Sequence, residues 1–236
     1  MKPSKNILIK LSGASLKNED NIICFKKLDQ ISSQIKALKG QYGIGIVLGG
    51  GNIWRGATNE KMGINRLDAD SIGMLATIMN SISLKSSLNK NGMKAKVYSA
   101  LNVPRITNDH DANNFNEDIK NGEIVIFAGG IGMPYFSTDT CAALRCLEIN
   151  SKIVLMGKNG TDGIYDKDPN KNKDAKFISS ITYDEIFSKE LKVADLTFIT
   201  MCKENDIETI IFDIDKKESI LNALNNKGKF TIIKNK

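Results

Sequence analysis

The sequence predicts an α/β fold: an αβα sandwich around a central, mostly parallel β-sheet. Two features carry this expectation. Short, β-branched, almost wholly apolar runs alternate with segments whose apolar residues recur every three or four positions. That is the pattern of strands buried on both faces and of helices covering them. Several of the runs also open into glycine-bearing polar loops, and such sheets bind ligands beyond the carboxyl ends of their strands.

Taken in order, residues 7–11 (ILIKL) form a strand closed by Ser12-Gly13. Ile22, Phe25, Leu28, Ile31, Ile35 and Leu38 then mark one helical face, which ends near Gly40. Residues 43–48 are the second strand and run into Gly49-Gly50-Gly51-Asn52-Ile53-Trp54-Arg55-Gly56. A long helix is expected over about 66–91, with Met74, Leu75, Ile78, Met79, Ile82 and Leu88 as core. Further strands are expected at 97–101, 123–128, 153–156, 208–212 and 229–233. Helices are expected at 111–121, about 138–149, from the capping-box spacing of Thr182 and Glu185, near 194–205, and at 218–224. Residues 158–173, rich in Gly, Asn and Asp, read as a loop with room for a short hairpin.

Composition narrows the function. The chain has 236 residues, 41% hydrophobic and 25% charged, with Lys+Arg 33 against Asp+Glu 27 for a net charge of +6. Only four of the basic residues are arginines (Arg55, Arg66, Arg105, Arg145), and the lysines are scattered. No basic stripe with interleaved aromatics marks a nucleic-acid surface, so none is expected to be a partner. The four cysteines lack CxxC spacing and the chain has a single histidine, His110. Neither a structural metal site nor a disulfide framework is expected. No apolar run approaches membrane-spanning length and no signal segment is evident, so no membrane partner is expected and the expected location is the cytoplasm.

The chemistry-bearing loops sit at predicted strand ends. Gly49-Gly50-Gly51 lets backbone N–H groups approach a ligand, Asn52 can cap a following helix, and Arg55 offers a planar donor fork suited to phosphate. Lys10 ends the first strand beside Ser12 and Gly13; a lysine there either snorkels to solvent or meets an anion. Residues 129–139 combine glycines, a proline, two aromatics, two hydroxyls and an acid at a helix start. They read as a helix cap or as one wall of a slot sized for a planar base. Asp195 lies at a helix start, where an acid compensates the dipole. Both G-x-x-x-x-G-K-[ST] and G-x-G-x-x-G are absent, which disfavours a P-loop enzyme and a dinucleotide oxidoreductase.

These motifs resemble, in order and over essentially the whole chain, the bacterial UMP kinases of the amino acid kinase fold. They are Lys10-Leu11-Ser12-Gly13, Gly49-Gly50-Gly51-Asn52 with Arg55, and Asp70 before Gly73-Met74-Leu75-Ala76-Thr77. They continue with Pro134-Tyr135-Phe136-Ser137-Thr138-Asp139, Asp162-Gly163-Ile164-Tyr165 with Asp168-Pro169, and Lys189-Glu190-Leu191-Lys192-Val193 before Asp195. The resemblance implies a single domain over 1–236, with an acceptor lobe at about 1–150 and an ATP lobe at about 151–236. It implies transfer of the ATP γ-phosphoryl group to UMP, giving UDP and ADP in pyrimidine nucleotide biosynthesis, with Mg²⁺, by a homohexamer. Activation by GTP and inhibition by UTP are implied in the same way. Lys10, Arg55 and Asp195 would be catalytic, with Asp195 orienting Lys10 and Asp139 a second candidate for that polar network. Lys10, Leu11, Ser12, Gly13, Gly51, Arg55, Asn159, Tyr165 and Asp168 would bind ATP. Gly50, Asp70, Ile131, Gly132, Met133, Pro134, Tyr135, Phe136, Ser137 and Thr138 would bind UMP, and no residue is assigned to a metal. Many family members have Asn, Phe and Thr where this chain has Met133, Tyr135 and Ser137. The alternatives are another amino acid kinase superfamily enzyme acting on a carboxylate or carbamate, a non-catalytic nucleotide sensor, and a basic nucleic-acid-binding module.

Overall fold

The computed structural model describes residues 3, 5–55, 63–169 and 171–236; Gly56, the last glycine of the run after the second strand, lies outside them. Nine strands form one sheet: β1 (Lys5–Leu11), β2 (Tyr42–Leu48), β3 (Ala95–Ser99), β4 (Asn108–Asp109), β5 (Ile124–Ala128), β6 (Ile153–Lys158), β9 (Ser180–Thr182), β10 (Glu208–Asp213) and β11 (Thr231–Lys234). Their order is β4-β3-β5-β2-β1-β6-β10-β11-β9, and every neighbouring pair is parallel except β10 with β11. Two further strands, β7 (Ile164–Tyr165) and β8 (Phe177–Ile178), pair antiparallel outside it. The hairpin expected within 158–173 therefore closes later, because the partner of Ile164 is Ile178.

Strand alternation sorts the core into two layers. Ile7, Ile9 and Leu11 of β1 face one cluster with α1 (Phe25–Lys36), α2 (Arg66–Lys90) and α7 (Ser219–Leu224). Leu8 faces the other, with α3 (Ala112–Lys120), α4 (Thr138–Glu148), α5 (Tyr183–Ser188) and α6 (Leu196–Glu204). Lys10 continues the Leu8 side, so its side chain is delivered to the α4 face. Strands buried on both sides need the near-continuous apolar sequence that made them legible.

The first helix starts at Phe25, three residues later than Ile22, and both side chains are exposed at 59%. The residues ahead of it hold a 3₁₀ turn at Gly13–Leu16, which the apolar periodicity did not resolve. In α2 only part of the expected core is buried: Ile78 and Leu88 are, whereas Leu75, Met79 and Ile82 are exposed. This helix carries apolar residues beyond the stripe that faces the sheet, which is why periodicity alone overstated its core.

Close backbone approach fixes the β1 and β2 loops against each other. A Cβ on Gly13 would stand 2.4 Å from Asn52 Oδ1 and 2.7 Å from the Gly51 nitrogen, so no larger residue fits without movement. A Cβ on Gly51 would meet nothing within 4 Å. The glycine run is held from below by Asn80 of α2, fully buried, whose Nδ2 donates to Gly49 O at 2.8 Å and to Asn52 Oδ1 at 2.7 Å. Asn52 Nδ2 in turn donates to Ile22 O at 2.9 Å. Asn80→Ala strands these buried polar groups and is expected to lower unfolding free energy by about 1–3 kcal/mol in a denaturant titration. A variant as stable as the parent would contradict this anchoring role.

Candidate active site

Lys10 is 6% exposed and ion-paired with Asp139, in the first turn of α4. β1 lies between β2 and β6, at the centre of the sheet, where loops from strands on either side converge. The N-terminus of α4 is fixed by Ser137, whose hydroxyl accepts from the amides of Asp139 and Thr140, both at 3.0 Å. That hydroxyl donates to Asp195, which also accepts from Thr140 Oγ1 at 2.8 Å and from the Phe198 amide at 2.9 Å. Asp195 therefore caps α6 and ties it to α4.

The pairing expected between Lys10 and Asp195 is thus made by Asp139 instead. The oxygens of Asp195 are engaged by two hydroxyls and its own helix terminus, while Asp139 projects from α4 over the face that carries Lys10. Burial pushes the Asp195 carboxyl up, but the Ser137 hydroxyl, the Phe198 amide and Thr140 outweigh it and hold the pKa below the usual aspartate value.

A cavity of about 510 Å³ lies on one side of this network, lined among others by Gly50, Gly51, Trp54, Asp70, Thr77 and Thr138. Of the expected acceptor residues, Met133, Tyr135, Phe136 and Ser137 also line it. Ile131, Gly132 and Pro134 do not: Ile131 packs on the core, and Gly132 is pressed against Ala100, whose oxygen would lie 3.0 Å from a Cβ there. Asp70 accepts at Oδ2 from Arg66 Nε at 2.8 Å and from the Tyr135 amide at 2.7 Å. Tyr135 is held at φ 70°, a left-handed conformation uncommon for a bulky residue. Arg66 stacks over its ring at 5.3 Å. Arg55, exposed, folds back so that its Nε donates to Gly51 O at 3.0 Å.

Two anchors of the 129–137 loop were missed in the sequence. Thr77 Oγ1 accepts from the Gly129 amide at 2.9 Å. Arg145, 3% exposed, donates to Gly130 O at 2.9 Å and to Glu148 at 2.7 Å. A lone arginine inside the apolar helix sequence 141–147 was the available signal. His110 contacts Arg145 and Glu148 and packs on Phe115, far from any role in a proton relay at Lys10.

A second cavity, of about 630 Å³, is lined by Lys158, Tyr165, Asp168 and residues 189–193. Asn159 does not join it: its Nδ2 donates to Asp215. Leu11 is fully buried, leaving only its backbone for any ligand, and its carbonyl already accepts from the Gly49 amide at 2.9 Å. Lys158 was not singled out as a site residue. Its Nζ donates to Val193 O at 3.1 Å. Burial lowers its pKa from the usual lysine value, nearby Lys10 lowers it further, and Asp139 opposes both. The four cysteines are buried and unpaired. Burial raises the thiols of Cys141 and Cys146 to about 11, so neither supplies a thiolate near neutral pH.

A buried lysine paired with a carboxylate at the end of the central strand, one cavity lined by Gly50 and Gly51 and a second lined by Lys158 and Tyr165 fit a site for phosphoryl transfer between two bound molecules. Residues 5–213 match the model of the amino acid kinase family. A uridylate kinase of Mycoplasmopsis pulmonis is 48% identical over 98% of this chain and 97% of its own length. One from Malacoplasma penetrans is 44% identical over 96% of this chain and 72% of its own length. The crystal structure of UMP kinase from Ureaplasma parvum superposes with a TM-score of 0.95 at 42% identity, covering 99% of this chain and all of that one. That of Bacillus anthracis gives 0.92 at 31% identity, covering 99% and 97%. The chain belongs to the uridylate kinases of the amino acid kinase family.

The geometry of Asp195 makes a pH prediction. Its folded-state pKa is depressed, so the stability it contributes is present above the ordinary carboxylate range and is lost as pH falls through the folded value. In Asp195→Asn the stability deficit relative to the parent is expected at neutral pH and to shrink on acidification, read from urea unfolding at several pH values. A deficit constant from neutral pH to the acid limit would contradict the network.

Proposed function

We propose that this uridylate kinase binds UMP in the cavity beside Asp70 and ATP in the cavity beside Tyr165, with transfer occurring across Lys10. The observation that carries the reading is the position of Lys10: buried and ion-paired with Asp139 at the end of the central strand. In the same reading the acceptor lobe is about 1–150 and the ATP lobe about 151–236.

The chemistry asks for alignment and charge neutralisation. UMP carries its own phosphate oxyanion as nucleophile, so no side-chain base is needed. Lys10 holds oxygens of the transferred group, with Asp139 fixing the lysine's direction and Ser12 and Gly13 alongside. Amides of Gly50 and Gly51 receive phosphate oxygens; the open space over Gly51 leaves room for them. Arg55 swings from the Gly51 carbonyl to bridge donor and acceptor phosphates. Asp70 uses only Oδ2 for Arg66 and Tyr135, and its Oδ1 accepts from ribose hydroxyls of UMP. Residues 131–138 enclose the uracil, Met133, Tyr135, Phe136, Ser137 and Thr138 by side chains and Ile131, Gly132 and Pro134 by shaping the loop. Tyr165 and Asp168 bind the ATP nucleoside, with Asn159 at the cavity's outer edge and Leu11 through its backbone. Asp195 acts by positioning the start of α4.

When bound with ATP, Mg²⁺ would supply neutralisation of charge on the phosphates, and no residue of this chain is assigned to hold it. Among the described residues no group of three or more His, Cys, Asp or Glu is placed to hold a metal by itself. The exposed apolar stripe of α2 (Leu67, Ile72, Leu75, Met79, Ile82) supports self-association, and a homohexamer is the assembly proposed. GTP activation and UTP inhibition belong to the same proposal. Among the described residues no helix is long and apolar enough to cross a membrane, in keeping with a proposed cytoplasmic location.

The test is a turnover panel with Mg-ATP and UMP, CMP, AMP, glutamate or carbamate as acceptor. UMP is expected to exceed every other acceptor, and Lys10→Ala to lower its turnover by about 10²–10³-fold with the fold retained by circular dichroism. Equal use of the acceptors, or preference for a carboxylate or carbamate, would overturn the acceptor assignment.

A further inference from the structure

The donor cavity contains a cation that the roles above leave unused. Lys158 is the last residue of β6, and the register sets Lys10 opposite Met156 and Leu11 opposite Gly157. Val154 and Met156 pack in the same core layer as Leu8. By the period-two alternation of strands, Lys158 therefore emerges on the face that carries Lys10, one strand over and two residues further along. Asp139, in the first turn of α4, stands over that face and acts on both lysines. One donor of the Lys158 ammonium is occupied by Val193 O, and the residue lines the cavity shared with Tyr165 and Asp168.

Asp139 is thus shared: it is ion-paired with Lys10 and acts on Lys158 as well. An ammonium has three donors. The Val193 contact uses one and fixes the direction of the rest, at the junction between the donor cavity and Lys10. Burial and the repulsion of Lys10 both disfavour the Lys158 ammonium, and an anion carrying several negative oxygens beside it would offset both.

We propose that Lys158 is a second catalytic cation, contacting the γ-phosphoryl group of ATP from the side opposite Arg55 and sharing the developing charge with Lys10. This rests on the donor site assigned above. The alternative is purely structural: a lysine that pins the 189–195 segment by its Val193 contact and touches no ligand.

The two roles separate by nucleotide. A contact to the γ-phosphoryl group affects ATP-like ligands and spares ADP, whereas a structural pin affects both equally. The experiment compares the parent, Lys158→Met and Lys158→Arg, with Mg-ADP and the non-hydrolysable Mg-AMP-PNP titrated calorimetrically and UMP turnover measured in parallel. In Lys158→Met, AMP-PNP affinity is expected to fall more than about tenfold with ADP affinity within about threefold. Its kcat is expected to fall by about 10²-fold with KM for UMP little changed. Lys158→Arg, which keeps a charge, is expected to recover part of the AMP-PNP preference. Equal loss for both nucleotides, or a Lys158→Met enzyme with parental kcat, overturns the proposal while leaving the donor site standing. A parent chain that binds neither nucleotide overturns both.

Discussion

The ion pair between Lys10 and Asp139 is the constraint around which the site is built. It joins the end of the central strand to the start of the helix that follows the acceptor loop, in a place almost closed to water. Removing one partner of a buried pair typically costs about 3–5 kcal/mol, because the other charge is left without compensation. The surrounding hydrogen bonds serve to keep that pair in register. Ser137 caps the helix bearing Asp139, Asp195 holds Ser137 and Thr140, and Asn80 braces the neighbouring glycine run from beneath.

The same arrangement explains why a carboxylate sits where the phosphates of ATP and UMP are proposed to meet. Asp139 fixes the position of the buried Lys10 ammonium and leaves donors of it for a ligand. In the proposed site the further positive charge comes from Arg55, which bridges donor and acceptor phosphates, and from Lys158 in the donor cavity. The histidine and the cysteines have no part in this. His110 is taken up by Arg145 and Glu148, and the thiols of Cys141 and Cys146 are held protonated by burial.

Most of the sheet was legible because strands buried on both faces must be written in apolar, β-branched residues. The 3₁₀ turn after β1 and the two-residue strands are too short for any period to register. Lys10, the glycine run and the 129–139 loop were visible as chemistry interrupting apolar pattern. The partner of Lys10 was less visible, since Asp139 and Asp195 both open helices in sequence and only the packing of α4 over β1 separates them. Thr77 and Arg145, which hold the acceptor loop, look like ordinary helix residues until the fold sets them beside Gly129 and Gly130. Lys158 was a miss that sequence could have supplied: it follows Met156 by two positions as Lys10 follows Leu8.

The most direct measurement is a crystal structure with UMP and AMP-PNP bound together with Mg²⁺. The account predicts UMP in the cavity with its ribose at Asp70, the nucleoside of AMP-PNP beside Tyr165, and Lys10 against the γ-phosphoryl group while still paired with Asp139. UMP seated beside Tyr165, or a γ-phosphoryl group out of reach of Lys10, would contradict it.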